Sequence, residues 1–226
     1  MAEGSVAVEH GGETMLLGSL LLVLIVVWLL FWLVARQQPH GAEAWERGWI
    51  EAFRDANDPE QMIGPAIVEE TFRDLSALGG YAVSAMIVAG FAGYVGLRCG
   101  HSSVRFFLLT VLMGYGCGML LKLAFGRGRP AAVPHLSFVA TTSFPSLHSM
   151  ISLILYMTIG LWLRQRVADR RVGRLFVCMP LLLTGFVGLS RIALGVHYPT
   201  DVLAGWTAGL VWLLVMFRMQ PIIGDR

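Results

Sequence analysis

Six runs of about twenty mainly apolar residues punctuate the chain, near 15–35, 79–98, 104–123, 148–164, 175–194 and 200–217. A helix of that length reaches about 30 Å, the hydrocarbon thickness of a bilayer, so each run predicts a transmembrane helix. The first run is preceded by Glu3, Glu9 and Glu13 and by no Lys or Arg. It is also long for the apolar core of a signal peptide, which favours a retained helix. The sizeable polar segment lies between the first two runs, at 36–78, where Trp45, Trp49 and Phe53 recur every four residues and Glu46, Arg47, Glu51 and Arg54 fill the rest of the turn. That period predicts a helix lying in the headgroup region, although a packed extramembrane hairpin with no substrate role has the same pattern. Pro65 opens a second helical stretch whose Ile67, Val68, Phe72 and Leu75 can rest on the membrane or on the spans. The fold class expected is therefore all-α: a polytopic membrane protein of six transmembrane helices, with an interfacial helical segment between the first and second. The chain divides into an N-terminal tail (1–14), the first span (15–35), the polar segment (36–78), a membrane domain (79–217) and a C-terminal tail (218–226).

Composition agrees with this reading: 56% of the 226 residues are apolar and 14% charged, which marks an integral membrane protein. A net charge of +2, with the basic residues in loops and not along one face, points away from nucleic acid. Cys99, Cys117 and Cys178 have no metal-binding spacing and are read as small buried apolar residues without a disulfide framework.

The polar residues of the membrane domain carry the chemistry. The chain's one lysine, Lys122, ends the third run, followed by Arg127 and Arg129. Ser146 and His148 open the fourth run, Ser190 and Arg191 end the fifth, and His197 and Asp201 open the sixth. Alternating spans place all four clusters on one side of the membrane, although up to 79 positions separate them in sequence. Pro199 fits the first position of the last helix, which puts Asp201 in its first turn and His197 just outside. Asp201 then caps the helix, orients the imidazole, or does both, since a carboxylate at a span end is costly without a partner. Ser146 is a plausible N-cap for the fourth helix, whose free N–H groups can face an anion. Cations, two imidazoles, a hydroxyl and a carboxylate are the inventory for holding a phosphate, attacking it through nitrogen and protonating the leaving oxygen.

In that order, K-L-A-F-G-R-G-R-P (122–130), P-S-L-H (145–148) and S-R-I-A-L-G-V-H-Y-P-T-D (190–201) resemble the three signature motifs of the type 2 phosphatidic acid phosphatase superfamily. The likeness extends over about 79–217. It implies a six-helix lipid phosphatase, related to vanadium haloperoxidases, that works through a phosphohistidine without metal or other cofactor. Carried over by position, the resemblance makes His197 the nucleophile, Asp201 its orienting carboxylate and His148 the general acid and later the base. It makes Lys122, Arg129, Ser146, Leu147 and Arg191 the phosphate-binding set, and leaves Arg127 outside the motif as an interfacial anchor or a contact for a second phosphate.

Leu147 departs from the pattern, because hydrolytic members usually carry glycine there. Leucine requires a helical or extended backbone at that point. The string P-S-L-H also resembles that of lipid headgroup transferases of the superfamily, so two acceptors stay open: water, giving a phosphatase of lipid mono- or diphosphates, and an alcohol, giving a transferase. A pocket that only binds or conducts an anion would need the cations but not the histidines and carboxylate. Arginines outside the motifs concentrate in the loop holding Arg164, Arg166, Arg170, Arg171 and Arg174. The positive-inside rule then puts the motifs on the outer face of a cell inner membrane, which makes the substrate a lipid phosphate of the outer leaflet, of the undecaprenyl diphosphate, phosphatidylglycerol phosphate or phosphatidic acid type.

Overall fold

The computed structural model describes residues 18–29, 32–33 and 44–224. They form eight helices in addition to the short Trp32–Leu33 piece: α1 (Gly18–Leu29), α2 (Ala44–Glu51), α3 (Ala66–Ala77), α4 (Tyr81–Cys99), α5 (His101–Phe125), α6 (Leu147–Arg164), α7 (Arg170–Ala193) and α8 (Pro199–Gly224). Helices α4 to α8 are each long and apolar enough to cross a bilayer. Helix α1 occupies the first expected span, but its twelve described residues rise only about 18 Å, short of a full crossing. The remainder of the expected 15–35 span falls outside the described residues.

Helix α6 lies at the centre, packed on α5, α7 and α8, and its Met150, Ile154 and Leu155 are buried. Between membrane helices the hydrophobic effect supplies little attraction, so close approach and interhelical hydrogen bonds matter more. Ser152 Oγ and Thr184 Oγ1 meet at 2.7 Å across α6 and α7, and Trp212 Nε1 of α8 donates to Thr110 O of α5 at 2.8 Å. At Gly205 of α8 a side chain would place its Cβ 2.5 Å from Ser146 O. Glycine there lets the first turns of α8 lie directly on the start of α6. Ser146 N–H then donates to Asp201 O at 2.9 Å, fixing two motif segments to each other.

Helix α5 stops at Gly126, which adopts the left-handed region (φ 59°) and returns its N–H to Lys122 O. Only glycine takes that conformation without cost. The turn sends residues 127–146 back over the polar ends of the spans. Trp28 and Trp32, near the C-terminal end of α1, pack on Phe125 and Phe144 at ring separations of 5.1 to 5.7 Å. That end of α1 therefore stands on the motif side.

The polar segment differs from its expected headgroup stripe. Trp45 and Trp49 do face outward, 46% and 55% exposed, but Glu46 and Ile50 are fully buried. Arg54, expected on the polar face, is also buried: its Nη1 donates to Ala193 O at 2.6 Å and its Nη2 to Pro134 O at 3.3 Å. Phe53 and Phe72 stack edge to face at 5.6 Å. Helices α2 and α3 are thus docked on the ends of α7 and α8, where Arg54 donates to the Ala193 carbonyl at the end of α7 and Glu46 accepts from Thr200 N–H at the start of α8. Cys99 and Cys178 are exposed and Cys117 is half-buried, so the expectation of three buried cysteines is corrected.

Candidate active site

The helix ends converge on a cavity of about 100 Å³. Lys122 from α5, Arg129 and Thr141 from the α5–α6 connection, Leu147 and His148 from α6, Arg191 from α7 and His197 before α8 all line it. Ser146 and Asp201, both fully buried, stand immediately behind that lining. A second, apolar cleft of about 280 Å³ between α4, α5 and α6 shares Tyr81, Leu147 and His148 with the first. The polar cavity therefore abuts an apolar one at His148.

Three cations point at this space, each fixed on one side by the protein. Lys122 Nζ donates to Thr142 O at 2.5 Å. Arg129 uses Nε on Thr141 O (2.7 Å) and Nη1 on Val196 O (2.6 Å). Arg191 is held from α3, its Nη1 donating to Ser76 Oγ at 2.5 Å, while its buried Nε has no hydrogen-bond partner. An uncompensated buried guanidinium donor is expensive, and an anionic oxygen would satisfy it.

His197 is almost wholly buried. Arg129 Nη1 lies 3.3 Å from Nε2, and arginine can only donate, so Nε2 is the acceptor and the proton resides on Nδ1. Nδ1 faces Asp201 Oδ2 at 3.4 Å, long for a hydrogen bond, while Tyr198 N–H occupies the same oxygen at 2.9 Å. Burial, and then Arg129, Arg191 and Lys122, hold the imidazole well below its ordinary 6.5. At neutral pH the ring is uncharged, with a lone pair on the cavity side. The other oxygen of Asp201, Oδ1, accepts from Arg127 Nη1 at 2.7 Å.

Arg127 is not an anchor at the membrane surface. It is buried, bridges Asp201 and Glu46 Oε2 (2.8 Å), and lies 4.0 Å over the Tyr198 ring. Burial alone would depress it, but Asp201 and Glu46 outweigh that and raise it. Glu46 and Ser76, together with Tyr81 and Thr141 in the lining, are site contacts that sequence reasoning missed. A signal for Glu46 was present in the surplus cation of G-R-G-R-P, but nothing in the spacing names a partner 81 residues upstream.

Ser146 occupies the N-cap position of α6 without bonding to the helix backbone through its side chain, and its hydroxyl accepts from Ser149 Oγ at 3.0 Å. Leu147 is the first helical residue, in an ordinary negative-φ conformation, with its Cδ1 against Gly118 of α5. His148 is half-buried, its ring 6.1 Å from that of Tyr81. Among the described residues no group of three or more His, Cys, Asp or Glu is placed to hold a metal ion.

The PAP2 superfamily model matches residues 103–224, more than half of the chain, a span that holds Lys122, Arg129, His148, Arg191, His197 and Asp201. The chain belongs to the PAP2 superfamily. Among PAP2 relatives, it is 30% identical over 136 residues to phosphatidylglycerophosphatase B of Bacillus subtilis, covering 49% of this chain and 66% of that one. It is 30% identical over 169 residues to a lipid A 1-phosphatase of Rhizobium etli, covering 64% and 68%. Undecaprenyl-diphosphatase BcrC of Bacillus subtilis matches at 28%, over 51% and 56%. The chain thus spans between just over half and about two thirds of the length of these relatives. In structure it resembles the PAP2-type phosphatidylglycerolphosphate phosphatase of Bacillus subtilis, with a TM-score of 0.74, 22% identity, and 88% and 96% of the two chains covered. The PAP2 fold is therefore shared.

Proposed function

We propose that this chain is an integral-membrane phosphatase of lipid mono- or diphosphates that works through a phosphohistidine on His197. The observation that carries the reading is the His197 ring itself: neutral, with Nδ1 toward Asp201 and Nε2 toward a cavity ringed by Lys122, Arg129 and Arg191. The relatives' names supply the substrate class. In the proposed reaction Nε2 attacks the terminal phosphorus, Arg129 moves from Nε2 to a phosphoryl oxygen, and the bond from that phosphorus to its leaving oxygen breaks, an oxygen that belongs to the lipid alkoxide in a monophosphate and to the departing lipid phosphate in a diphosphate. His148 gives its proton to that oxygen. Water then attacks the phosphohistidine while His148 takes a proton from it, the P–N bond breaks and inorganic phosphate leaves. The three cations neutralise the equatorial oxygens, the main protein contribution to phosphoryl transfer. The apolar cleft beside His148 accommodates the lipid portion. Arg127 is already bound to two carboxylates, so the second phosphate of a diphosphate would meet other groups.

Leu147 favours water as acceptor. Although Leu147 borders the cavity, its Cδ1 is seated against Gly118 and the residue is only 3% exposed, which fits a residue that packs helix α6 on α5. Leu147→Gly is expected to lower stability by roughly 3 kcal/mol and to leave hydrolysis within about tenfold. The assay supplies labelled phosphatidylglycerol phosphate, lipid A, undecaprenyl diphosphate and phosphatidic acid, with and without candidate alcohols, and follows label into inorganic phosphate or new lipid. Predominant transfer to an alcohol by the natural protein would overturn the hydrolytic reading.

The site is proposed to face the outside of the inner membrane, as Arg164 at the end of α6, Arg166 in the connection and Arg170, Arg171 and Arg174 in the first turns of α7 gather at the opposite end of the bundle. In a variant without the native cysteines, Asn57→Cys should react with an impermeant thiol reagent in intact cells and Ala168→Cys only after lysis. Both positions are exposed. The reverse labelling would place the site toward the cytoplasm.

A further inference from the structure

The family motifs account for one carboxylate at the nucleophile, yet the structure buries two. Asp201 and Arg127 form an ion pair at 2.7 Å that together carries no net charge. An arginine on Oδ1 withdraws much of the negative charge that Oδ2 could offer to His197. Glu46 of α2, fully buried, returns it: Oε2 meets Arg127 Nη2 at 2.8 Å, and Oε1 accepts from Thr200 Oγ1 at 2.5 Å and Thr200 N at 3.2 Å. A continuous chain of contacts, Glu46 to Arg127 to Asp201 to His197 Nδ1, thus links helix α2 to the nucleophile's ring on the side opposite its reacting Nε2.

We propose that Glu46 is a positioning residue for the nucleophile: it holds Arg127 and the first turn of α8 in place and restores to the Arg127–Asp201 pair the negative charge that favours His197 as it becomes positive on taking up phosphorus. The inference rests on His197 being that nucleophile. Its surroundings explain the need. Lys122 of α5, Arg129 of the connecting loop and Arg191 of α7 face His197 and disfavour positive charge on the ring, with His148 of α6 across the same cavity. Asp201 of α8 opposes them directly. In a site of low dielectric, one carboxylate already shared with arginine is weak compensation, and a second behind it shifts the balance.

The sign of a pH shift separates this role from mere packing. Glu46→Gln keeps the shape and an acceptor for Thr200 but loses the charge. It should reduce kcat/KM ten- to a hundredfold and move the acid limb of its pH profile to lower pH, since imidazolium becomes harder to form. Arg127→Gln should move the same limb to higher pH. The double variant should lie between the two and recover at least severalfold over Glu46→Gln alone. Thermal unfolding in detergent checks each variant's fold, and if Glu46→Gln does not fold, the direction of the Arg127→Gln shift decides. A limb unmoved in the folded single variants, or a double variant no better than Glu46→Gln, overturns the proposal. His197→Ala serves as the control: if it retains turnover, the phosphohistidine reading fails first, whatever the Glu46 variants do.

Discussion

His197→Ala should abolish both turnover and covalent labelling. Brief exposure of the natural protein to labelled lipid phosphate, quenched in alkali, should leave phosphate on His197 that acid releases. The alanine variant should carry none and lose on the order of 10⁴-fold or more in kcat, as when the nucleophile of a coupled set is removed. The geometry also sets the pH dependence. Burial and three neighbouring cations hold the His197 imidazole well below 6.5. Its neutral, reactive form is therefore the one present at and above that pH, and protonation removes it only as pH falls through the lowered value. The acid limb of kcat/KM should accordingly lie below 6.5, and a limb above it would contradict the electrostatics described. A His197→Ala variant that still forms an acid-labile adduct would move the nucleophile elsewhere.

The membrane domain was legible because its physics is one-dimensional. A run long and apolar enough to cross a bilayer identifies itself, and the ends of α5 to α8 matched the expected spans closely enough to place Lys122, His148, Arg191 and Asp201 at one end of the bundle. Pro199 beginning α8, with Asp201 in the first turn, followed from the helical preference of proline at that position. The polar segment was not legible in the same way. Period four in Trp45, Trp49 and Phe53 implied a helix, and α2 takes in the two tryptophans but ends at Glu51, before Phe53; the period cannot say that Glu46, one residue along from Trp45, turns inward to meet Arg127. The same holds for Ser76, 115 residues from its partner Arg191, and for Arg54, 139 residues from Ala193. Each of these depends on where α2 and α3 dock, and docking depends on shape and on unmet hydrogen-bond needs at the ends of α7 and α8. Arg127 failed for a related reason: a charge beside a membrane span is normally an interfacial anchor, and only a buried carboxylate on each side reverses that.

His148 separates acid catalysis from simple phosphate binding through the leaving group. It opens α6 beside both the polar cavity and the apolar cleft. In a lipid monophosphate the scissile bond joins phosphate to lipid, so its lipid-side oxygen should lie where those two spaces meet. An alkoxide is a poor leaving group and needs a proton as the bond breaks, whereas a nitrophenolate departs largely unaided. His148→Ala should therefore slow cleavage of an alkyl phosphate by about 10²- to 10⁴-fold and cleavage of p-nitrophenyl phosphate by about tenfold or less, with labelled phosphohistidine still formed from the aryl substrate. Dephosphorylation should also slow, because the same ring draws the proton from water, so the aryl reaction should show a burst followed by slow turnover. For the alkyl substrate KM should change far less than kcat, because Lys122, Arg129 and Arg191 remain to hold the phosphate, whereas for the aryl substrate KM should fall together with kcat as dephosphorylation comes to limit turnover. Equal losses on alkyl and aryl phosphates, without a burst, would make His148 a phosphate ligand and leave the proton donor to be sought elsewhere around the cavity.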